Sequence, residues 1–489
     1  MHHWVLLLAA LFAVAQLANV TGRDTPDTKN YLSYALSLSG EGKRGAAAGA
    51  IEHYCASRAS SAKRAQSVHV VRFHRADPTA RVTADCRERE WRNVERRLRA
   101  GQTDGHTVPF MPERFMRIFE VRPGYPAFLV PFVTALGVTW GVWTASVLVA
   151  AAGGVLVFLI LRTLAVPAPL ALTGQALYYV LPCGTVAMRP MTEGLLMALT
   201  LTAVWGCALV LRERPQRRGY WLVAGSLALL FAVKHSQALF LGGCLAAAGT
   251  AIALRRARRG GGRGRGRGEV QGGNRRARWG GDQSGGWLAR WSGDQPGGWL
   301  ARWSGDQRED RRARWAEYRN ARRSGARAQV GVVLRLAGIG LGAALTTVLL
   351  ARLLHYPSES ESLQDLLAHH FARPDRERPW PEFLQLQGNF WTEWSRRQLR
   401  EPLFVAALAA GAWGALRRPA FGAFLVAAAA TGILTQAGHP DINIWGGRLI
   451  VLAWLLPVVG LPLLLEPVAR GRVPLPAQGH ADQAVRTTS

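Results

Sequence analysis

The chain has 489 residues, a net charge of +28 and 49% hydrophobic residues, and its mean hydropathy of +0.04 averages very apolar blocks with very basic ones. That alternation excludes a soluble protein with one dispersed core. It also argues against a nucleic-acid binder, because residues 255–328 alone carry 20 Arg against 7 Asp and Glu, so the excess is concentrated in one segment between apolar blocks.

Ten apolar blocks follow in order: 4–20, 138–161, 168–187, 191–211, 219–234, 236–254, 330–351, 402–416, 420–436 and 445–466. Each approaches the roughly twenty residues that cross a bilayer's hydrocarbon core. They predict an all-α polytopic membrane protein of about ten transmembrane helices with a long first extracytoplasmic loop. Residues 1–20 form the first helix, 21–137 the loop with interfacial helices, and 138–254 helices two to six. A basic insert (255–329), a further helix (330–351), a second outer loop (352–401), three last helices (402–466) and a tail (467–489) complete the chain. Short basic clusters at Arg212, Arg214, Arg217, Arg218, at Arg417, Arg418 and at Arg470, Arg472 set the orientation, because Lys and Arg are retained on the cytoplasmic side. The insert and tail then lie inside, and the loops at 21–137 and 352–401 outside a plasma membrane. Trp4 to Ala15 also reads as a signal-like core ending in Ala13-Val14-Ala15, but no Lys or Arg precedes it, which favours a retained span.

Within the first loop, Asp85 to Ala100 interleaves Glu90 and Glu95 with arginines and predicts a solvated helix. Tyr125 to Gly137 is apolar, too short to cross and interrupted by proline, as an interfacial or re-entrant piece would be. Cys55 and Cys86 share this loop and can pair in an oxidising compartment. The insert contains a twelve-residue unit at 281–292 that recurs at 293–304, a composition expected to stay disordered.

Asp24 and Asp27 stand just past the first apolar block, ahead of Tyr31, Tyr34 and Ala35. A carboxylate at a membrane rim can take a proton from an attacking hydroxyl or ligate a divalent cation. Either residue reads equally well as a helix N-cap. Arg122 in Arg-Pro-Gly-Tyr-Pro, Lys234 and Arg448 are cations at the edges of spans, where charge marks a substrate path or a buried partner. Glu193, one turn after Arg189, reads as an ion-pair or interface residue. His439, Asp441 and Asn443 crowd the last outer loop as a weak candidate metal site.

The order of these features resembles the GT-C-type polyprenyl-phosphate-dependent glycosyltransferases, which include protein mannosyltransferases and lipid A aminoarabinose transferase. The matching elements are the acidic residues followed by a Tyr/Ala helix, the long loop, Arg122-Pro123-Gly124-Tyr125-Pro126, Arg189 to Glu193, a Lys in the Leu/Ala-rich stretch Gly225 to Leu241, and Gly447-Arg448-Leu449. The resemblance implies transfer of a sugar from a polyprenyl phosphate in the membrane lipid to an extracytoplasmic acceptor. It places the catalytic carboxylate at Asp24 or Asp27 and the donor-binding groups at Arg122, Tyr125, Lys234 and Arg448. The rival expectation is a transporter or flippase for a lipid or glycan, whose polar residues tend to lie within spans rather than at their rims.

Overall fold

The computed structural model of the chain describes residues 2–212, 216–265, 329–442 and 448–471. The twelve-residue repeats, Arg214, Asn443, Gly447, Arg472 and the rest of the tail lie outside them. Among the described residues every regular element is helical. In chain order these are α1 (His2–Gln16), α2 (Thr28–Leu38), α3 (Lys43–Ser67), α4 (Thr79–Arg99), α5 (Glu113–Glu120), α6 (Gly124–Thr163), α7 (Ala168–Val180), α8 (Pro182–Ala187) and α9 (Thr192–Val210). They continue with α10 (Arg217–Arg265), α11 (Gln329–Leu353), α12 (Glu359–Leu367), α13 (Pro379–Arg400), α14 (Leu403–Leu416), α15 (Pro419–Gly438) and α16 (Leu455–Gly471). Single 3₁₀ turns, Leu17–Asn19 and Leu449–Trp454, follow α1 and lead into α16.

Among the described residues six helical stretches are long and apolar enough to cross a bilayer, namely α6, α9, α10, α11, α15 and Leu449–Gly471. A seventh arises if α13 and α14, bent by 88°, form one span. The chain is therefore a multi-pass membrane protein. The shortfall from ten apolar blocks has local causes. Block 168–187 divides where Leu181 is extended (φ −74°, ψ 171°), as the residue before a proline is biased to be. Blocks 219–234 and 236–254 are joined in α10 and interrupted only at Lys234 (φ −163°, ψ 96°). Block 402–416 yields only the 14 residues of α14, and block 4–20 the 15 of α1 plus its turn.

α6 does not run straight. Gly137 takes φ 72°, ψ 169°, a conformation open to residues without a Cβ, and the chain doubles back there. A Cβ placed on Gly141 would lie 2.5 Å from the Phe132 carbonyl oxygen, so the two halves of α6 pack backbone to backbone. The expected interfacial piece, Tyr125 to Gly137, is the first of those halves.

The first loop has its own core. Leu32 of α2, Ile51 and Tyr54 of α3, Val94 of α4, and Val108 and Phe110 pack together and onto Val133 and Val142 of α6. α4 covers the helix predicted from Asp85 to Ala100. Lys29 reaches Glu90 at 2.6 Å, with its ammonium 5.1 Å from the Tyr54 ring centre and 5.0 Å from that of Phe110. Burial pulls the Lys29 pKa down, and the Glu90 carboxylate opposes that fall. Cys55 and Cys86 form a disulfide between α3 and α4, closing a sequence separation of 31 residues. Replacing both by serine is expected to destabilise this subdomain by about 2–4 kcal/mol, mainly by freeing the unfolded chain. Thermal unfolding of the serine variant beside the parent in the same detergent checks the size, and an unchanged midpoint would remove the disulfide from the stability of the loop.

The chain divides into two compact units, Met1–Gly249 with Leu336–Ser489, and Thr250–Arg335. In the second, the described parts are the end of α10 and the start of α11, where Arg256 Nη1 donates to the Gln329 carbonyl at 3.2 Å.

Candidate functional site

At the rim where the first loop meets the membrane helices, Arg448 holds two carboxylates. Its Nη2 donates to Asp27 Oδ2, and its Nε to Glu193 Oε1 at 2.8 Å. The three residues come from the start of α2, the start of α9 and the approach to α16. Asp27 sits at the N-cap position of α2, but its side chain makes no capping hydrogen bond. Its carboxylate is committed to Arg448 instead. Glu193 also accepts from Thr192 Oγ1 at 3.1 Å. It is an ion-pair residue, as its place in the sequence implies, but its partner is 255 residues away.

Asp24 lies in a different setting. Its side chain is only 3% exposed, and Oδ2 is 3.3 Å from His53 Nε2, whose side chain is 4% exposed. Asp24 Oδ2 and His53 Nδ1 are both buried and, among the described residues, have no hydrogen-bond partner. The backbone around Asp24 is held from α3: Ser57 Oγ accepts from the Asp24 N–H at 3.3 Å, and Arg64 donates to the Thr21 and Gly22 carbonyls at 3.2 and 3.0 Å. Asp24 and His53 face a narrow cleft that also meets Asn19, Arg23, Trp143, Ser146 and Pro190.

Arg122 and Lys234 come together because Gly124 lets two backbones touch. A Cβ at Gly124 would stand 2.8 Å from the Ala232 carbonyl carbon and 2.9 Å from the Val233 nitrogen. The Arg-Pro-Gly-Tyr-Pro turn is thus pressed against the break in α10 at Lys234. Arg122 Nε is buried and, among the described residues, has no hydrogen-bond partner, while Lys234 lies within electrostatic reach of the Glu193 and Asp27 carboxylates. Lys234 and Glu193 line a second, narrow cleft whose remaining wall is mostly apolar: Leu196, Leu449, Val451 and Leu452 beside Gln237 and Thr435. Tyr125 is buried beneath, its ring edge-on to Tyr31 at 5.5 Å, with Tyr31 in turn 5.1 Å from Phe119.

The connection from α12 to α13 is fastened to α5 close by. His369, His370 and Phe371 take φ of 50°, 60° and 55°, a left-handed run rare for residues bearing a Cβ and often found at functional sites. His370 packs on Phe115 with ring centres 4.5 Å apart, and Arg114 pairs with Asp375 at 2.7 Å. Asp365, hydrogen-bonded to His370 Nδ1 at 3.2 Å, raises the His370 pKa against the effect of burial.

The structure therefore gathers Asp27, Arg122, Lys234 and Arg448 with Glu193, with Tyr125 buried nearby and Asp24 in a separate cleft. Among the described residues no group of three or more His, Cys, Asp or Glu side chains could hold a metal ion. His53 and Ser57 were not legible in the sequence as site residues; both sit on a helix with no motif of its own. The chain matches no family model, no curated protein and no solved structure.

Proposed function

We propose that the protein is a glycosyltransferase of the GT-C type in a prokaryotic plasma membrane, moving a sugar from a polyprenyl-phosphate donor to an acceptor hydroxyl on the outer face. One observation carries this reading: Lys234 lines, beside Glu193, a cleft whose remaining wall is mostly apolar, and the turn that carries Arg122 is pressed against the backbone next to Lys234. Two cations brought to one membrane rim suit a lipid phosphate, with the arginine fork and the lysine point charge sharing its oxygens. Leu196, Val451 and Leu452 suit the isoprenoid chain.

The acceptor oxygen attacks the anomeric carbon, the bond from that carbon to the phosphate oxygen breaks, and the acceptor proton passes to Asp24. The departing polyprenyl phosphate keeps its charge against Arg122 and Lys234. Asp24 is better placed as base than Asp27, since one of its oxygens is free of hydrogen bonds in a cleft while Asp27 is occupied by Arg448. Asp27 and Glu193 then serve to position Arg448.

In this reading ten crossings are made by α1, α6, α7 with α8, α9, the two arms of α10 on either side of Lys234, α11, α14, α15 and α16. Lys234 sits at the outer turn, and the basic short loops stay inside. Thiol labelling of Ser284→Cys from outside intact cells would overturn this topology.

The donor site is tested with Arg122→Gln and Lys234→Met in lipid nanodiscs. Each is expected to weaken polyprenyl-phosphate binding by roughly 10- to 100-fold, the worth of about 1.5–3 kcal/mol for a hydrogen bond to a charged group. Unchanged binding in both variants defeats the donor assignment. Translocation of the lipid across proteoliposomes without any sugar transfer would favour the transporter instead.

A further inference from the structure

The connection between α3 and α4 is a well-braced turn with its apolar side chains pointing outward. At its base Gln66 Nε2 donates to the Arg75 and Ala76 carbonyls at 2.9 and 3.1 Å, and Lys63 pairs with Asp77 at 2.6 Å. Inside it the Arg72 and Phe73 N–H groups both donate to the His69 carbonyl. Yet Val68, Val70, Val71 and Phe73 are 83, 84, 62 and 63% exposed. Between residues 21 and 123 the only other large apolar side chain left so open is Leu38, at 39%. A concentrated apolar patch on an ordered turn marks an interaction surface rather than ordinary surface scatter.

The position of the turn says what covers it. α3 lies over the outer ends of the membrane helices: Gly49 faces Val138 of α6, His53 shares a cleft with Asn19, Val20 and Val142, and Arg64 grips the Thr21 and Gly22 carbonyls just past α1. One helical turn beyond Arg64, α3 ends and the exposed patch begins. It thus starts one turn from the contact with Thr21 and Gly22, where the apolar, largely exposed residues of α1 have given way to polar chain. Arg72 and Arg75, both exposed, flank the apolar tip.

We propose that residues 68–73 insert into the outer leaflet of the bilayer beside α1, with Arg72 and Arg75 on lipid phosphates. Apolar side chains at headgroup depth with basic residues beside them are the pattern of interfacial anchoring. The anchor fixes the depth of α3, and with it His53 and the Asp24 segment, relative to the membrane.

The test uses the full chain with Cys183, Cys207 and Cys244 replaced by alanine, the disulfide left intact, and a nitroxide attached at Val70→Cys. Phe73→Cys serves as a second position, and Glu88→Cys on α4, whose native side chain is 69% exposed, as an aqueous control. In nanodiscs of phosphatidylcholine and phosphatidylglycerol, the labels at 70 and 73 are expected to collide severalfold more with oxygen, relative to a water-soluble nickel complex, than the label at 88. Nickel accessibility equal to that at 88 overturns the proposal. So does spin–spin broadening at 70 or 73, which would mean that the patch meets a second copy of this chain.

Discussion

Asp24→Asn is expected to lower sugar transfer by about 10²- to 10⁴-fold while leaving the protein folded and inserted, the range lost when a positioned general base is removed. Asparagine keeps the size of the side chain and can still sit beside His53, so the buried surroundings change little. What disappears is the carboxylate whose Oδ2 has no hydrogen-bond partner in the cleft. Asp27→Asn is the matched control. It weakens one of the two contacts to Arg448 but leaves the Glu193 contact in place, so its loss of rate should be much smaller. Single-turnover transfer by the two variants in the same membrane preparation decides the matter. Near-normal transfer by Asp24→Asn, or equal losses in both, would take Asp24 out of the chemistry.

Arg448→Met is expected to be the most destabilising single change at the site, by about 3–5 kcal/mol, because removing one member of a buried ion cluster strands the others. Asp27 and Glu193 would then lose the guanidinium that both contact, in a place where like charges are poorly solvated. The same argument predicts a rescue. Adding Asp27→Asn and Glu193→Gln to Arg448→Met removes the stranded charges and should recover much of the lost stability, though not the activity. Thermal unfolding of the single and triple variants tests this. A triple variant no more stable than Arg448→Met alone would show that the arginine contributes through packing rather than charge.

These two expectations separate roles that the order of residues left merged. From the sequence, Asp24 and Asp27 are alike: two carboxylates just past an apolar block, each an equally good base, metal ligand or N-cap. Three residues apart on a chain entering a helix, they end in different surroundings, one against His53 in a cleft and the other on Arg448. The capping role fails for Asp27 because a guanidinium outcompetes a backbone N–H for its oxygens.

The apolar blocks, the helix rich in Arg and Glu at α4 and the break near Gly137 follow from the sequence by itself, since length, periodicity and proline or glycine act over a few residues. The cations were also legible there, because charge at the edge of an apolar run is rare wherever it occurs. Which charges meet was decided only by the tertiary structure. The pairing of Arg448 with Asp27 and Glu193 joins residues hundreds of positions apart, and the approach of Arg122 to Lys234 depends on a single glycine that lets two helices touch. His53 carries no local signal at all, since its place beside Asp24 comes from the packing of α3 across the ends of the membrane helices. Burial then makes those meetings consequential, because a charge or lone pair removed from water must be answered by whatever the fold has placed beside it.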